Sequence, residues 1–180
     1  MEAWTDLYTE IGTILKTKIK EIRWIDLWHE QVSYLTDELP FPVPAIFIAF
    51  STNNCIDKGL LIQDCDTQVD IYLYYETFSD TYQGSFNQDS AIEFMRSVTK
   101  IHQALHGTTG DNYSSMRRVD MRREESGGAG NLYRISFACI IEDASAKVQY
   151  DMQMVNDIEI ERTHSTHEST ADSSPLYFIP

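Results

Sequence analysis

Two stretches of the chain repeat apolar residues at the three- and four-residue spacing of an amphipathic helix. The first covers residues 4–22, with acids near its start and lysines near its end, where each charge favours the helix dipole. The second covers residues 91–107, where Asp89 or Ser90 can cap the start and Gly107 suits the end. The pattern therefore predicts two helices, each with one face for a core.

Three stretches in the first half of the chain have β-strand character. Residues 22–28 carry apolar groups on both faces, which favours a strand covered on both sides but leaves a continuing helix as an alternative. Residues 45–51 form a compact apolar run, and the prolines of residues 40–44 act as its rigid lead-in. Residues 51–59 have turn composition, and residues 60–78 then give the longest strand candidate, with alternation in its second half.

Two further strand candidates follow the second helix. Residues 114–126 alternate, residues 127–131 (GGAGN) suit a hairpin loop, and residues 131–143 return as a strand with one apolar face. The order is therefore α-β-β-β-α-β-β. It predicts an α+β fold in which a mostly antiparallel four- to five-stranded sheet has two helices packed on one face.

Composition changes near residue 145. Residues 142–180 hold eight acidic and two basic residues, and residues 164–175 are rich in serine and threonine. We therefore divide the chain into an α+β domain, residues 1–145, and an acidic C-terminal extension, residues 146–180. The extension ends in an apolar hook, which either docks on a neighbouring protein or packs back on its own subunit. This candidate docking arm consists of Leu176, Tyr177, Phe178 and Ile179.

The charge balance restricts the binding partners. The 180 residues include 14 basic and 28 acidic side chains, for a formal net charge of −14. A chain of this charge is a poor ligand for a nucleic-acid backbone. No apolar run is long enough for a membrane span, and the N-terminus lacks signal-peptide features. Three widely spaced cysteines (Cys55, Cys65 and Cys139) argue against a disulfide framework and fit a reducing compartment.

Motifs for catalysis or cofactor binding do not emerge. His102 and His106 have the spacing of two zinc ligands on a helix, but no third ligand is implied, so we interpret both as structural. Residues 64–70 superficially resemble a calcium loop but lack its central glycine and final glutamate. The sequence predicts no catalytic residue, no metal and no cofactor, and therefore a protein that is not an enzyme.

One cationic cluster stands out in the acidic chain. It consists of Arg117, Arg118, Arg122 and Arg123, with acidic residues between them. On a regular strand, Arg118 and Arg122 face one side, and Arg117 and Arg123 face the other. The arginines are a candidate subunit interface or an intramolecular ion-pair strip; a solvated strand and a nucleic-acid patch are the alternatives.

The order of these features resembles the tail terminator, or tail completion, proteins of long-tailed bacteriophages and prophages, a family of small minor tail proteins. The resemblance covers roughly residues 1–145. It rests on an N-terminal helix and a sequence of short motifs. These are IRWIDLWH (22–29), LPFPVPAIFIAF (39–50), QVDIYLYYET (68–77), ALHG (104–107) and LYRISFACIIED (132–143).

The resemblance implies a mechanical function in the virion. Members of the family form a ring, usually a hexamer, at the head-proximal end of the tail tube, where it ends tube polymerisation and joins the tail to the neck. The implied partners are further copies of the chain, the tail tube protein and a neck or connector protein, with assembly in the bacterial host cytoplasm. DNA would pass through the channel without specific binding, repelled by acidic walls. The alternatives are a neck or connector ring and, more remotely, a non-viral binding module or a small enzyme.

Overall fold

Seven elements follow one another in the predicted order, α-β-β-β-α-β-β. The computed structural model describes residues 2–32, 40–76, 80–127 and 130–147. The helices are α1 (Ala3–Lys18) and α2 (Gln88–Leu105). The strands are β1 (Trp24–Leu27), β2 (Ala45–Gly59), β3 (Ile62–Glu76), β4 (Arg117–Glu124) and β5 (Gly130–Asp143). The candidate docking arm Leu176–Ile179 and nearly all of the predicted extension lie outside the described residues, and the boundary at residue 145 stays a prediction.

The five strands form one mixed sheet in the order β1-β2-β3-β5-β4. Strands β1 and β2 pair in parallel, and the other neighbouring pairs are antiparallel. The prediction of a mostly antiparallel α+β sheet is confirmed. Strand β1 also confirms a strand within residues 22–28, because helix α1 ends at Lys18. The expectation that this strand is covered on both sides is wrong, because β1 is an edge strand with no buried residue.

Both helices pack on one face of the sheet, as predicted. Their apolar stripes meet the alternate side chains of β2, β3 and β5 that point to this face. Full burial of each such aliphatic side chain is worth about 1.5–3 kcal/mol. The largest fully buried side chains of this core are Leu7, Ile11, Leu15, Ile19, Ile46, Ile48, Ile71, Leu73, Ile101, Leu105 and Phe137.

The opposite face of the sheet, which we call the outer face, carries a smaller aromatic core at one end. Trp28 stacks on Tyr72 with ring centroids 4.1 Å apart, and Phe41 meets the edges of Phe47 and Tyr74. Phe41 comes from the proline-led segment, so this segment covers the start of β2 as well as leading into it.

Strand β2 is longer than the sequence predicts. Residues 51–59 were predicted as a turn because of their polar, Asn-rich composition, and this prediction is wrong. They pair with β3 from Ser51↔Gln68 to Gly59↔Ile62, with irregularities at Thr52/Asn54 and Asp57/Gly59. Pairing with a neighbouring strand supplies the backbone hydrogen bonds that local composition does not encode, so tertiary context overrides propensity. The turn is instead the two residues Leu60 and Leu61.

Helix α2 begins slightly before the predicted position. Its N-cap residue is Asn87, which makes no side-chain capping hydrogen bond, so the prediction that Asp89 or Ser90 caps the helix is wrong. The predicted end is confirmed: the helix stops at Leu105, and Gly107 follows with a φ of 80°, a conformation in which glycine is not strained.

Candidate interaction surfaces

The predicted arginine cluster lies on β4, the edge strand of the sheet. Every residue from Arg117 to Arg123 is exposed. The pairing with β5 shifts between Arg118 and Asp120, so that Val119 is an extra residue in the strand. This bulge reverses the alternation that a regular strand would have.

The predicted distribution of the four arginines over the two faces is therefore wrong. Arg117 and Arg122 pair with Ala138 and Arg134, which lie on the outer face, whereas Arg118 and Arg123 lie on the helix face. On the helix face, the backbone N–H of Arg118 donates a hydrogen bond to Nδ1 of His106 at 3.1 Å.

Arg122 takes part in an ion-pair strip within its own subunit. Its Nε donates to Oε1 of Glu124 at 3.0 Å and lies 3.8 Å from Oδ2 of Asp120. Arg117, Arg118 and Arg123 have no carboxylate within 4.0 Å among the residues that the structure describes. An intramolecular ion-pair strip thus accounts for Arg122 alone among the four arginines. For the cluster as a whole, a role at a subunit interface stays a prediction.

The ion-pair strip continues into a largely buried charge network on the outer face. The Asp70 carboxylate, in a residue only 8% exposed, accepts hydrogen bonds from the Ser136 hydroxyl and from Nε2 of Gln68 at 3.0 and 3.1 Å. Arg134 lies between this carboxylate and those of Asp120 and Glu124, with its Nε 3.1 Å from Glu124 Oε1, although not in hydrogen-bond geometry. Arg134 is thus the central cation of the network, with a side chain only 17% exposed.

The charge network borders on Tyr72 of the aromatic core. Burial, with smaller contributions from the Asp70 and Glu124 carboxylates, raises the pKa of Tyr72 to about 12. Its phenol is therefore neutral at physiological pH and contributes ring packing against Trp28 rather than charge.

A second unusual surface lies at the end of the β2–β3 hairpin. Three large apolar side chains are solvent-exposed there: Ile56 (60%), Leu60 (77%) and Leu61 (58%). Leu60 and Leu61 form the two-residue turn with φ of 56° and 61°, a left-handed conformation that leucine rarely adopts and that asparagine and glycine prefer. We call these three residues the hairpin tip.

The hairpin also contains a disulfide. Cys55 and Cys65 are direct cross-strand partners with Cα atoms 4.1 Å apart, and they form a disulfide bond. The cysteine pattern argues against a disulfide framework, but the structure contains this one disulfide, so the inference of a reducing compartment loses its basis. The odd number and wide spacing of the cysteines gave no sign of this bond. The long β2–β3 hairpin, which the sequence pattern did not indicate, brings Cys55 and Cys65 opposite each other. Cys139 is a buried free thiol.

Thiol counting checks this assignment. Burial raises the pKa of the Cys139 thiol to about 11, so at pH 8 the folded protein should react very slowly with a thiol reagent. Unfolding in urea without reductant should expose one reactive thiol per chain, and unfolding with reductant followed by desalting should expose three. Three thiols before reduction would contradict the cross-strand disulfide.

The helical histidine pair is a structural feature. The rings of His102 and His106 lie 4.6 Å apart, and Nδ1 of His106 is occupied by the Arg118 N–H. Burial, with smaller contributions from Arg118 and His106, lowers the pKa of His102. Within the described part of the chain, no group of three His, Cys, Asp or Glu side chains is arranged to hold a metal ion.

An open groove runs between helix α1 and edge strand β1. It has a volume of about 480 Å³. One wall is the α1 face that carries Tyr8, Gly12 and Lys16, and the other is the segment from Ile22 to Ile25. A Cβ atom added at Gly12 would meet nothing within 4 Å, so the missing side chain leaves the groove open at its centre. We call this feature the α1–β1 groove.

The hairpin tip and the groove were both missed by sequence reasoning. The pair Leu60–Leu61 was included in the strand candidate 60–78, although a glycine immediately before it and acidic residues on both sides are signals for an exposed turn. Gly12 inside a strong helical pattern was the available signal for the groove, because an interior helix glycine often has a packing or functional reason.

No protein-family model matches the chain, and no curated protein matches it. A solved structure, a chain from the virion of a native gene transfer agent particle, aligns with a TM-score of 0.47 at 11% sequence identity. The alignment covers 78% of this chain and 98% of that chain. Of the two helices in the described residues, neither is long and apolar enough to cross a membrane.

Proposed function

We propose that this chain is a structural virion subunit that forms a ring at the head-proximal end of a phage tail tube, ends tube polymerisation and joins the tail to the neck. The observation that carries the proposal is that both ends of the sheet offer uncovered strand edges. Strand β4 is exposed along its length, and β1 covers only residues Ala45–Ile48 of β2, so residues 51–59 have no second neighbour among the described strands.

Open strand edges are a hazard for a protein that acts as a monomer. Unpaired backbone N–H and C=O groups on an edge recruit other strands, and monomeric proteins usually cover or shorten such edges. Two different open edges on one subunit allow head-to-tail contacts, and head-to-tail contacts close into a ring when the rotation between subunits permits it. The arginines of β4 then lie at such a contact, as candidate interface residues.

The sequence supports the same function. The resemblance to tail terminator proteins rests on the order of elements, and the fold has that order. The acidity of the chain, at −14 per copy, suits a channel that conducts DNA without binding it, because acidic walls repel the phosphates. The proposed role is mechanical, and we propose no catalytic step and no cofactor.

Electron microscopy of the purified full-length chain tests the proposal. Negative-stain images should contain annuli, and light scattering after gel filtration should give the mass of a closed oligomer, which we expect to be a hexamer. When mixed with growing tail tubes, the rings should bind one tube end and stop elongation. A chain that stays monomeric both alone and with tubes would contradict the proposal. Rings that bind a head connector but not tubes would instead assign the chain to the neck.

A further inference from the structure

Within the described part of the chain, the side chains of the hairpin tip stay largely exposed and contribute little to a core. Leucine in a left-handed turn costs roughly 1–2 kcal/mol per residue more than a residue that tolerates positive φ. Leu60 and Leu61 also place apolar side chains in water at 77% and 58% exposure. The turn therefore carries both backbone strain and exposed apolar surface. We infer that contact between the leucines and another surface compensates for these two costs.

We propose that the hairpin tip of one copy inserts into the α1–β1 groove of the next copy and forms the main apolar contact between ring subunits. The inference rests on the proposed ring and names the surfaces that close it. A tip that reaches a groove on its neighbour makes a head-to-tail contact, which leaves the first subunit's groove free for a third copy.

The tip does not reach the groove of its own subunit. The groove lies beside β1, which pairs with Ala45–Ile48 at the start of β2, whereas the tip follows Gly59 at the far end of the same strand. Gly59 is eleven residue steps beyond Ile48 along the strand, a distance of roughly 36 Å at 3.3 Å per residue. A tip that occupies an α1–β1 groove therefore occupies the groove of a different molecule.

The groove has walls that suit apolar side chains. Trp24 is 39% exposed, and together with Ile25 and the ring of Tyr8 it offers apolar surface along the groove. Gly12 provides the space at the centre, because no side chain fills it. The buried centre of a protein–protein contact is apolar and enriched in aromatic side chains such as those that the groove supplies.

The charges around the two surfaces are complementary. Four carboxylates surround the base of the tip: those of Asp57, Asp64, Glu142 and Asp143. The single lysine there, Lys58, is already occupied, with its Nζ 2.7 Å from Glu142 and 3.2 Å from Asp64. Two basic side chains, Lys16 and Arg23, line the groove, and within the described residues neither has an ion-pair partner. Two acids flank the lining segment: Glu21 is paired with Lys100, and Asp26 acts electrostatically on Tyr8. Such complementarity orients partners and weakens with added salt.

A second apolar groove on the same chain is a poorer receptor. It lies at the start of α2, has a volume of about 370 Å³ and includes Ile92 and Met95. Asp80, Asp89 and Glu93 are close to it in the sequence, and Glu93 is shared between Arg96 and Lys100. None of the described residues that line this groove is basic, whereas Lys16 and Arg23 line the α1–β1 groove, so an acidic tip favours the α1–β1 groove.

One variant removes the apolar tip without harming the turn. In Leu60→Asn/Leu61→Gly, the turn receives the two residues that its φ angles prefer, so the hairpin keeps its shape. We expect the dissociation constant for self-association to rise at least about a hundredfold, because two large apolar anchors are lost. The measurement is sedimentation velocity over a concentration series. An unchanged constant would overturn the proposal.

A matched pair of variants tests the groove. Gly12→Leu fills the groove, whereas Gly12→Ala adds only a methyl group; neither Cβ meets an obstacle, and both favour the helix. We expect Gly12→Leu to weaken self-association about as much as the tip variant and Gly12→Ala to leave it within about threefold of wild type. Equal association of both variants and wild type would exclude the groove as the receptor.

Mixing the two defective variants identifies the contact directly. The tip variant keeps its groove and the Gly12→Leu variant keeps its tip, so a mixture should form one-to-one heterodimers that cannot grow further. Neither variant should dimerise alone. Absence of heterodimers in the mixture would overturn the pairing of these two surfaces.

The outcomes separate this inference from the proposed function. If wild type and both variants form the same annuli, the ring stands and the tip–groove contact is wrong. If wild type forms no ring alone or with tail tubes, the proposed function fails first and the inference fails with it. If wild type forms annuli and both variants are monomeric but combine in the mixture, both proposals are supported.

Discussion

Replacing Arg134 by alanine is expected to lower the free energy of unfolding by about 2–3 kcal/mol, which is the largest loss that we expect from any one residue of the charge network. Arg134 is the central cation among the carboxylates of Asp70, Asp120 and Glu124, and its side chain is only 17% exposed. Without it, the Asp70 carboxylate keeps its hydrogen bonds from Ser136 and Gln68 but loses its cation in a place that water hardly reaches. Urea denaturation at neutral pH, followed by tryptophan fluorescence, measures the loss.

Arg122 provides the matched control for this prediction. It belongs to the same network and contacts Asp120 and Glu124, but its side chain is 56% exposed. Arg122→Ala should therefore change the free energy of unfolding by no more than about 0.5 kcal/mol. The double variant Asp70→Asn/Arg134→Met should recover most of the stability lost in Arg134→Ala, because the buried carboxylate is removed together with its cation, while Asp120 and Glu124 keep Arg122 as a partner. Equal losses for Arg122→Ala and Arg134→Ala would show that burial does not govern the network.

Periodic segments of the chain could be predicted from the sequence, and irregular ones could not. Both helices and the apolar strands were found because their core-facing residues repeat at fixed spacing. Residues 51–59 were missed because their polar composition gives no sign of the partner strand that pairs with them. The bulge at Val119 was missed for a related reason: it is a property of the register between β4 and β5, and no residue type at that position announces it.

The candidate interface was found only in part. Composition alone was enough to single out the arginines on β4. Arg122 pairs with Asp120 and Glu124 of its own strand. Asp70 and Arg134 of the same network are far apart in sequence and meet because β3 pairs with β5, and the pairing of β4 with β5 adds the carboxylates of β4. Strand order is a long-range property of the fold, so a single sequence offers no direct signal for it.

Stability and assembly should change in opposite directions at the hairpin tip. Leu60→Asn/Leu61→Gly is expected to raise the free energy of unfolding of the monomer by about 1–2 kcal/mol. Relief of two left-handed leucines gives roughly 2–4 kcal/mol, and the greater freedom of glycine in the unfolded chain takes part of it back. The measurement is urea denaturation at concentrations where both proteins are monomeric, because self-association would otherwise stabilise the wild type by mass action.

A second tip variant distinguishes the backbone strain of the turn from the proposed contact between the tip and a neighbouring copy. Leu60→Ser/Leu61→Ser removes the same apolar surface, but serine does not favour positive φ as asparagine and glycine do, so the stability of the monomer should stay within about 0.5 kcal/mol of wild type. Both tip variants should lose self-association to the same extent, while only the Asn-Gly variant gains stability. If the Asn-Gly variant is less stable than wild type, the leucines stabilise the subunit itself. The exposure of the tip would then no longer indicate a contact with a neighbouring copy.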